Sequence, residues 1–136
     1  MELIVVLDTN AYSDWRTSGH WHQKIAIADR VILPSIVVGE LLHGFRKGKV
    51  LEENLKKLHA FLKEPQVHVF PVTLRTAEIY SELLVQLQIQ GTPIPTNDIW
   101  IAAMTLECRG ELATRDSHFR VLPQIDLAAE PGKRQP

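Results

Sequence analysis

Five consecutive apolar residues, Leu3-Ile4-Val5-Val6-Leu7, run without polar alternation straight into Asp8-Thr9-Asn10. A half-exposed strand alternates apolar and polar side chains, whereas a strand covered on both faces of a parallel sheet does not. The run therefore predicts the central strand of a parallel sheet. Parallel neighbours can be joined only by crossovers, so the rest of the chain has to supply helices.

It does so in alternation. A polar stretch holding Gly19, His20 and His22 is expected as loop, followed by Ile25-Ala26-Ile27-Ala28 and a second strand, Val31-Ile32-Leu33, closed by Pro34. Ser35 offers an N-cap to a helix over residues 36–46 that carries Val37, Leu41 and Phe45 on one face and stops at Gly48. Leu51, Leu55, Leu58 and Leu62 form an apolar stripe on a second helix, with Glu52/Lys56 and Glu53/Lys57 at i,i+4 on the wet side. Residues 67–72 read as a third strand. Thr73 caps a long helix expected to turn Leu74, Ala77, Tyr80, Leu84 and Leu87 inward until Gly91, Pro93 and Pro95 break it. A helix from Thr96 or Asn97 to Arg109, with Ile99, Ala102, Ala103 and Leu106 inside and Gly110 as its stop, leads to a fourth strand at 111–114. Residues 125–127 read as a short edge strand.

The expected fold is an α/β protein with an open parallel β-sheet and helices on both faces, in three layers. In such sheets ligands gather outside the carboxyl ends of the strands. Residues 1–128 form the expected domain and 129–136 a flexible tail.

Composition narrows the function classes. At 136 residues, 45% hydrophobic and 23% charged, the chain suits one packed domain. Fifteen Lys plus Arg against sixteen Asp plus Glu give a net charge of -1, so any polyanion must be met by a local patch. Cys108 is the single cysteine, which excludes an intrachain disulfide and a cysteine-rich zinc site. No apolar stretch approaches a membrane span and none resembles a signal peptide, so a soluble protein of the cytoplasm is expected, without a membrane partner. The seven glycines never fall as Gly-x-Gly and none opens a P-loop. The third strand ends without the aspartate a receiver domain requires, and His-Glu-x-x-His and Gly-x-Ser-x-Gly are absent.

Four acids remain of interest. Asp8 ends the first strand, where a helix N-cap is an equal explanation. Glu40 lies on the same helix face as Ile36 and Val37, where it needs a partner unless it reaches solvent from the boundary. Asp98 sits in a helical first turn, which the dipole favours by itself, and Asp116 follows the fourth strand, as turn aspartates do. In an open parallel sheet all four can meet at one rim. Clustered carboxylates suit a hard divalent ion such as Mg²⁺ or Mn²⁺, which binds through a few carboxylates together with substrate phosphates. That is an arrangement for hydrolysing a phosphodiester.

With these pieces in order the sequence resembles the PIN-domain ribonucleases and, among them, the VapC toxins of toxin–antitoxin modules. The resemblance rests on the strand ending in Asp8-Thr9-Asn10, on Pro34-Ser35 leading to Gly39-Glu40-Leu41, on Asn97-Asp98 opening Ile99-Trp100-Ile101-Ala102-Ala103, and on Thr114-Arg115-Asp116-Ser117-His118-Phe119. It runs from Leu3 to about Leu127. The resemblance implies a metal-dependent endoribonuclease, commonly a homodimer, held inactive by a cognate antitoxin protein. It assigns Asp8, Glu40, Asp98 and Asp116 to the catalytic metal site, with Mg²⁺ as the expected ion and Mn²⁺ as its alternative. Thr9, Asn10 and Thr114 are then expected to orient those carboxylates. His118 matches a variable slot and reads as structural or RNA-facing.

For the RNA itself, Arg46, Lys47 and Lys49 are the candidate backbone contacts, since the segment 46–64 carries a local excess of positive charge. A solvated helix face with internal ion pairs explains Lys56 and Lys57 equally well. Trp15, Trp21 and the His20-x-His22 pair, expected in the loop after the first strand, are open to base stacking, to a lid over the core or to an antitoxin contact, and the two histidines give a weak metal signal. A different class, a PIN-like module that holds RNA or protein without cutting, shares the fold. Retention of four mutually repelling carboxylates favours the enzyme.

Overall fold

The computed structural model describes residues 1–132, and residues 133–136, the end of the expected tail, lie outside it. Four strands, β1 (Ile4–Leu7), β2 (Arg30–Pro34), β3 (Val67–Phe70) and β4 (Glu111–Ala113), form one all-parallel sheet in the order β3-β2-β1-β4. The first apolar run is indeed central, with Val5, Val6 and Leu7 fully buried. The first two connections step one way across the sheet and the third returns to the far side of β1. Because crossovers are right-handed, connections that run in opposite directions place their helices on opposite faces, which gives the three-layer α/β/α arrangement. Strand order reverses at β1 and β4, the switch point where such sheets bind ligands.

The helices are α1 (Thr9–Ser18), α2 (His22–Ile27), α3 (Ser35–Lys47), α4 (Leu51–Leu62), α5 (Leu74–Gln90) and α6 (Thr96–Cys108), and a 3-10 turn spans Ser117–Val121. The stretch after β1 is therefore mostly helix, with Gly19, His20 and Trp21 left in the turn between α1 and α2. Its composition reads as loop because Ser, Thr, Asn and Asp compete with the helical backbone. Here they serve it. Asp8 caps Ala11 N–H at 2.7 Å, and the hydroxyls of Ser13, Thr17 and Ser18 donate back to carbonyls one turn earlier. Tyr12 and Trp15, three apart, pack against Phe61 of α4 with ring centroids 5.5 and 4.7 Å away. Trp15 lies within α1 and packs on Phe61, and Trp21, in the turn before α2, is 0% exposed, so both serve packing and Trp21 is closed to base stacking. The Arg16 guanidinium lies 4.5 Å over Trp15 and donates to Lys57 O at 2.7 Å, tying α1 to α4.

Other expectations shift by small steps. Pro34, not Ser35, is the N-cap residue of α3, and Ser35 is the first helical residue. In α5 the buried face is Thr76, Ile79, Leu83 and Leu87, while Leu74 is 78% exposed. The face is rotated because Thr73 and Thr76 build a capping box and Thr76 donates to Glu107 of α6 at 2.6 Å, which fixes the polar residue inward. Leu74, Val85 and Ile89 then face outward. Helix α6 is buried nearly all round, at Ile99 and from Ile101 to Thr105, so its inner surface is wider than one stripe. It ends with Arg109 in the left-handed region. Gly110 answers a close approach instead: a Cβ there would meet Ile4 and Val6 at 3.1 Å. Strand β3 ends at Phe70, two residues short of the expected run, and the edge strand at 125–127 reduces to a single parallel bridge, Leu112 to Leu127. Ala128 is buried.

Candidate active site

Parallel register builds the first half of the site. Leu7 pairs with Ala113, so the next residues along, Asp8 and Thr114, emerge side by side at the carboxyl edge. The Thr114 hydroxyl donates to Asp8 Oδ2 and accepts the Asp116 N–H at 3.0 Å. With Asp8 Oδ1 accepting from Ala11 N–H, both oxygens of this carboxylate are fixed. Asp8 is 6% exposed, and burial is the chief reason its carboxyl is pushed up to about 6. The two hydrogen bonds pull it down, and the negative charge of Asp98 and Asp116 adds to the rise.

The second half comes from helices. Glu40 sits on α3, whose start follows β2 directly, and its Oε1 accepts from the Thr9 hydroxyl at 2.8 Å. Asp98 lies in the first turn of α6, and Asp116 N-caps the 3-10 turn by accepting the His118 N–H at 2.9 Å. His118 Nδ1 lies 3.1 Å from both Asp98 Oδ2 and Asp116 Oδ1, where a ring N–H donates between two acceptors. Asp98 is raised by burial first and by Asp116 and Glu40 besides, against the lowering effect of His118.

Asp8, Glu40, Asp98 and Asp116 line one cleft of about 520 Å³, together with Thr9, Asn10, Asn97, Ile101 and His118 among others. Among the described residues, Asp98, Asp116 and His118 form the group whose ligand atoms already lie within 4.8 Å of one another. Asp8 and Glu40 face the same space with oxygens held by Thr114 and Thr9. Asn10 is exposed and lines the cleft, and its side chain makes no hydrogen bond among the described residues. Arg46, Lys47 and Lys49 are exposed at the far end of α3 and line no part of the cleft. His118, expected to be structural or RNA-facing, and Asn97, given no role from the sequence, both line the cleft. The signal for both was adjacency to an acid at an element boundary. An oxygen-rich donor set in which burial first, and neighbouring carboxylates second, raise Asp8 and Asp98 suits a hard divalent cation.

The chain matches the PIN domain over residues 5–124. It belongs to the PIN-domain family. Over 131 residues this PIN domain is 27% identical to ribonuclease VapC2 of Rickettsia felis, covering 92% of the chain and 96% of the relative. It is 26% identical to ribonuclease VapC5 of Mycobacterium tuberculosis over 117 residues, 86% of each. In structure it resembles a chain of VapBC2 from Rickettsia felis, crystallised bound to a DNA fragment from their promoter, with a TM-score of 0.83 at 25% identity over 93% of this chain and 98% of that one.

Proposed function

We propose that this PIN domain is a divalent-metal-dependent endoribonuclease and the toxin of a toxin–antitoxin pair, with Asp8, Glu40, Asp98 and Asp116 as its catalytic metal-site residues. The observation that carries the reading is the meeting of four carboxylates from four separate elements in one cleft at the switch point of the sheet. Relatives named ribonucleases support the reaction class, and a relative solved as a VapBC complex supports an antitoxin protein as partner.

A hard cation, Mg²⁺ or in its place Mn²⁺, would be held by the cleft carboxylates and, when bound, would neutralise charge at the phosphate and lower the pKa of an attacking water. The chain's own residues do the rest. Asp98 and Asp116 converge closely enough to hold one ion with His118 between them to orient them, Thr114 fixes the direction of Asp8, and Thr9 holds Glu40 over the cleft. Asn10 and Asn97 present amide groups to whatever enters. Among the described residues no helix is long and apolar enough to cross a membrane, and the cytoplasm is the proposed location. The outward Leu74, Val85 and Ile89 of α5 are the proposed surface for a second copy of the chain, a homodimer that light scattering tests.

The deciding experiment is cleavage of end-labelled RNA by wild type and Asp98→Asn, with Mg²⁺, with Mn²⁺ and with EDTA. Cutting by wild type in either ion, lost in EDTA and in the variant, is the expected result. RNA retention without cutting in both ions would instead identify a binding module.

A further inference from the structure

The acidic cleft poses an electrostatic problem that its own lining does not solve. Every charged side chain around it is a carboxylate or an imidazole, and no lysine or arginine takes part. RNA flanking the scissile phosphate would meet repulsion on both sides unless a fixed cation stood close by. A second cleft of about 350 Å³, lined by Asn10, Asp14, Arg115 and Asp116, shares Asn10 and Asp116 with the first. The two adjoin at those residues, and Arg115 is the one lysine or arginine lining either of them.

We propose that Arg115 is a substrate-binding residue that holds an RNA phosphate next to the scissile one, and that the RNA backbone enters or leaves the acidic cleft across Asn10 and Asp14 of α1. The proposal rests on the nuclease reading above and adds a direction to the substrate path. Its backbone is well anchored: Thr114 on one side is buried and bonded to Asp8, and Asp116 on the other bonds Thr114 through its N–H. The guanidinium is therefore projected from a fixed base beside Asp116. Its neighbours hold it without saturating it. Asp14 lies 3.7 Å away and Glu130 3.9 Å away, both beyond hydrogen-bond length, and the side chain is 55% exposed. Exposed pairs of that length contribute little to folding, so a purely structural role is poorly served by this geometry. A planar guanidinium held loosely is suited to exchange those carboxylates for the bidentate contact a phosphate offers. Asp14 and Glu130 then act as competitors that keep the arginine in place when RNA is absent.

The test uses the full chain and a fluorescein-labelled, mixed-sequence 20-nucleotide single-stranded RNA. Affinity is read by anisotropy over a salt series with Ca²⁺ replacing Mg²⁺, and steady-state cleavage is read separately in Mg²⁺. Arg115→Ala is expected to raise Kd and KM by about tenfold, the loss of one charge-assisted contact, with kcat within about twofold. It should reduce the salt slope by about 0.7, the value for one phosphate contact on a single strand. Arg115→Lys should recover the slope and part of the affinity, and Asp14→Asn should tighten binding by removing a competitor. Equal Kd and equal salt slope for wild type and Arg115→Ala would overturn the proposal while leaving the nuclease reading intact if wild type still cuts. Absence of metal-dependent cutting by wild type would overturn the nuclease reading, and the binding measurement would still decide on Arg115.

Discussion

Helix α3 reaches the acidic cleft through Glu40 and ends in a basic cluster, and the two regions are built by opposite rules. Glu40, in the body of α3, is gripped by Thr9, and every other acid of the cleft has a partner: Asp8 has Ala11 and Thr114, while Asp98 and Asp116 share His118. Arg46, Lys47 and Lys49, at and just beyond the end of the same helix, are exposed, and their side chains make no hydrogen bond or ion pair among the described residues. Lys47 is seven residues past Glu40, on the same helical face and about 10 Å further along the axis. Chemistry requires groups preorganised in direction as well as charge, whereas steering a polyanion requires charge alone. Substitutions in the first region should therefore be felt in orders of magnitude, and in the second in small factors.

The largest effect is expected from Asp98→Asn or Asp8→Asn. Each should reduce metal-dependent cleavage by about a thousandfold or more while the far-ultraviolet circular dichroism spectrum stays that of wild type. Each should also abolish the rise in Tm that Mg²⁺ gives the native protein by mass action. Cleavage within tenfold of wild type would remove the residue from the reaction and erase the contrast with the basic end.

Next in size is a pH effect in the metal-free protein. Burial pushes the Asp8 carboxyl up to about 6 in the folded protein from the ordinary 3.8 of an exposed aspartate, so the folded state holds this proton more tightly than the unfolded chain does. The cost of ionising Asp8 in place is absent below the unfolded value, grows as pH rises between the two, and is fully present above about 6. It amounts to about 3 kcal/mol at most for this one group. Asp98 is raised too and acts in the same direction. Urea unfolding in EDTA at pH 4.5 and 7.5 should show Asp8→Asn gaining on wild type at the higher pH, with the gain cancelled by saturating Mg²⁺. A wild-type and variant difference that does not change with pH would mean that the carboxylate is not strained by its burial.

Thr114→Val comes third, since it removes the donor to Asp8 and the acceptor of the Asp116 N–H with little change of shape. Losses of about 10-fold to 100-fold in activity or metal affinity are expected for such an orienting group. The Asp8 carboxyl should rise further, because the lost hydrogen bond is one that lowers it. Thr114→Ser should restore both. Failure of serine to rescue would point to packing of the methyl group and away from orientation of the acid.

Legibility follows the same division between what a residue is and what holds it. The β1 run and the α4 stripe were readable because burial on both faces and helical period each leave a local mark in sequence, whereas Asp8, Asp98 and Asp116 stood out only by their place at element boundaries and Glu40 by its place beside an apolar helix face. Helix α1 was not readable, because its stability comes from a cap by Asp8 and from Tyr12 and Trp15 packing on Phe61, forty-six residues or more away in the chain. The α5 face was one residue out for a related reason: the threonine that faces inward answers to Glu107 on α6. His118 and Arg115 lay within a quoted motif, but whether a side chain bridges two acids or lines a neighbouring cleft is decided by the turn after β4, and spacing does not encode that.

The smallest expected effect tests the basic end itself. Replacing Arg46, Lys47 and Lys49 together by Ala should raise KM for RNA by about threefold, leave kcat unchanged and flatten the salt dependence without altering metal binding. The reason lies in placement. These three groups are exposed, unpaired among the described residues and outside the cleft, so they add to a diffuse field that salt screens over about 10 Å. Arg115, beside Asp116 and fixed at its base, should cost more as a single residue than those three combined. If the triple variant instead lost more affinity and more salt slope than Arg115→Ala, the RNA backbone would run along α3 past Lys47 towards Glu40, and the apparent disorder of charge at that end would be a binding track that becomes organised only when RNA is present.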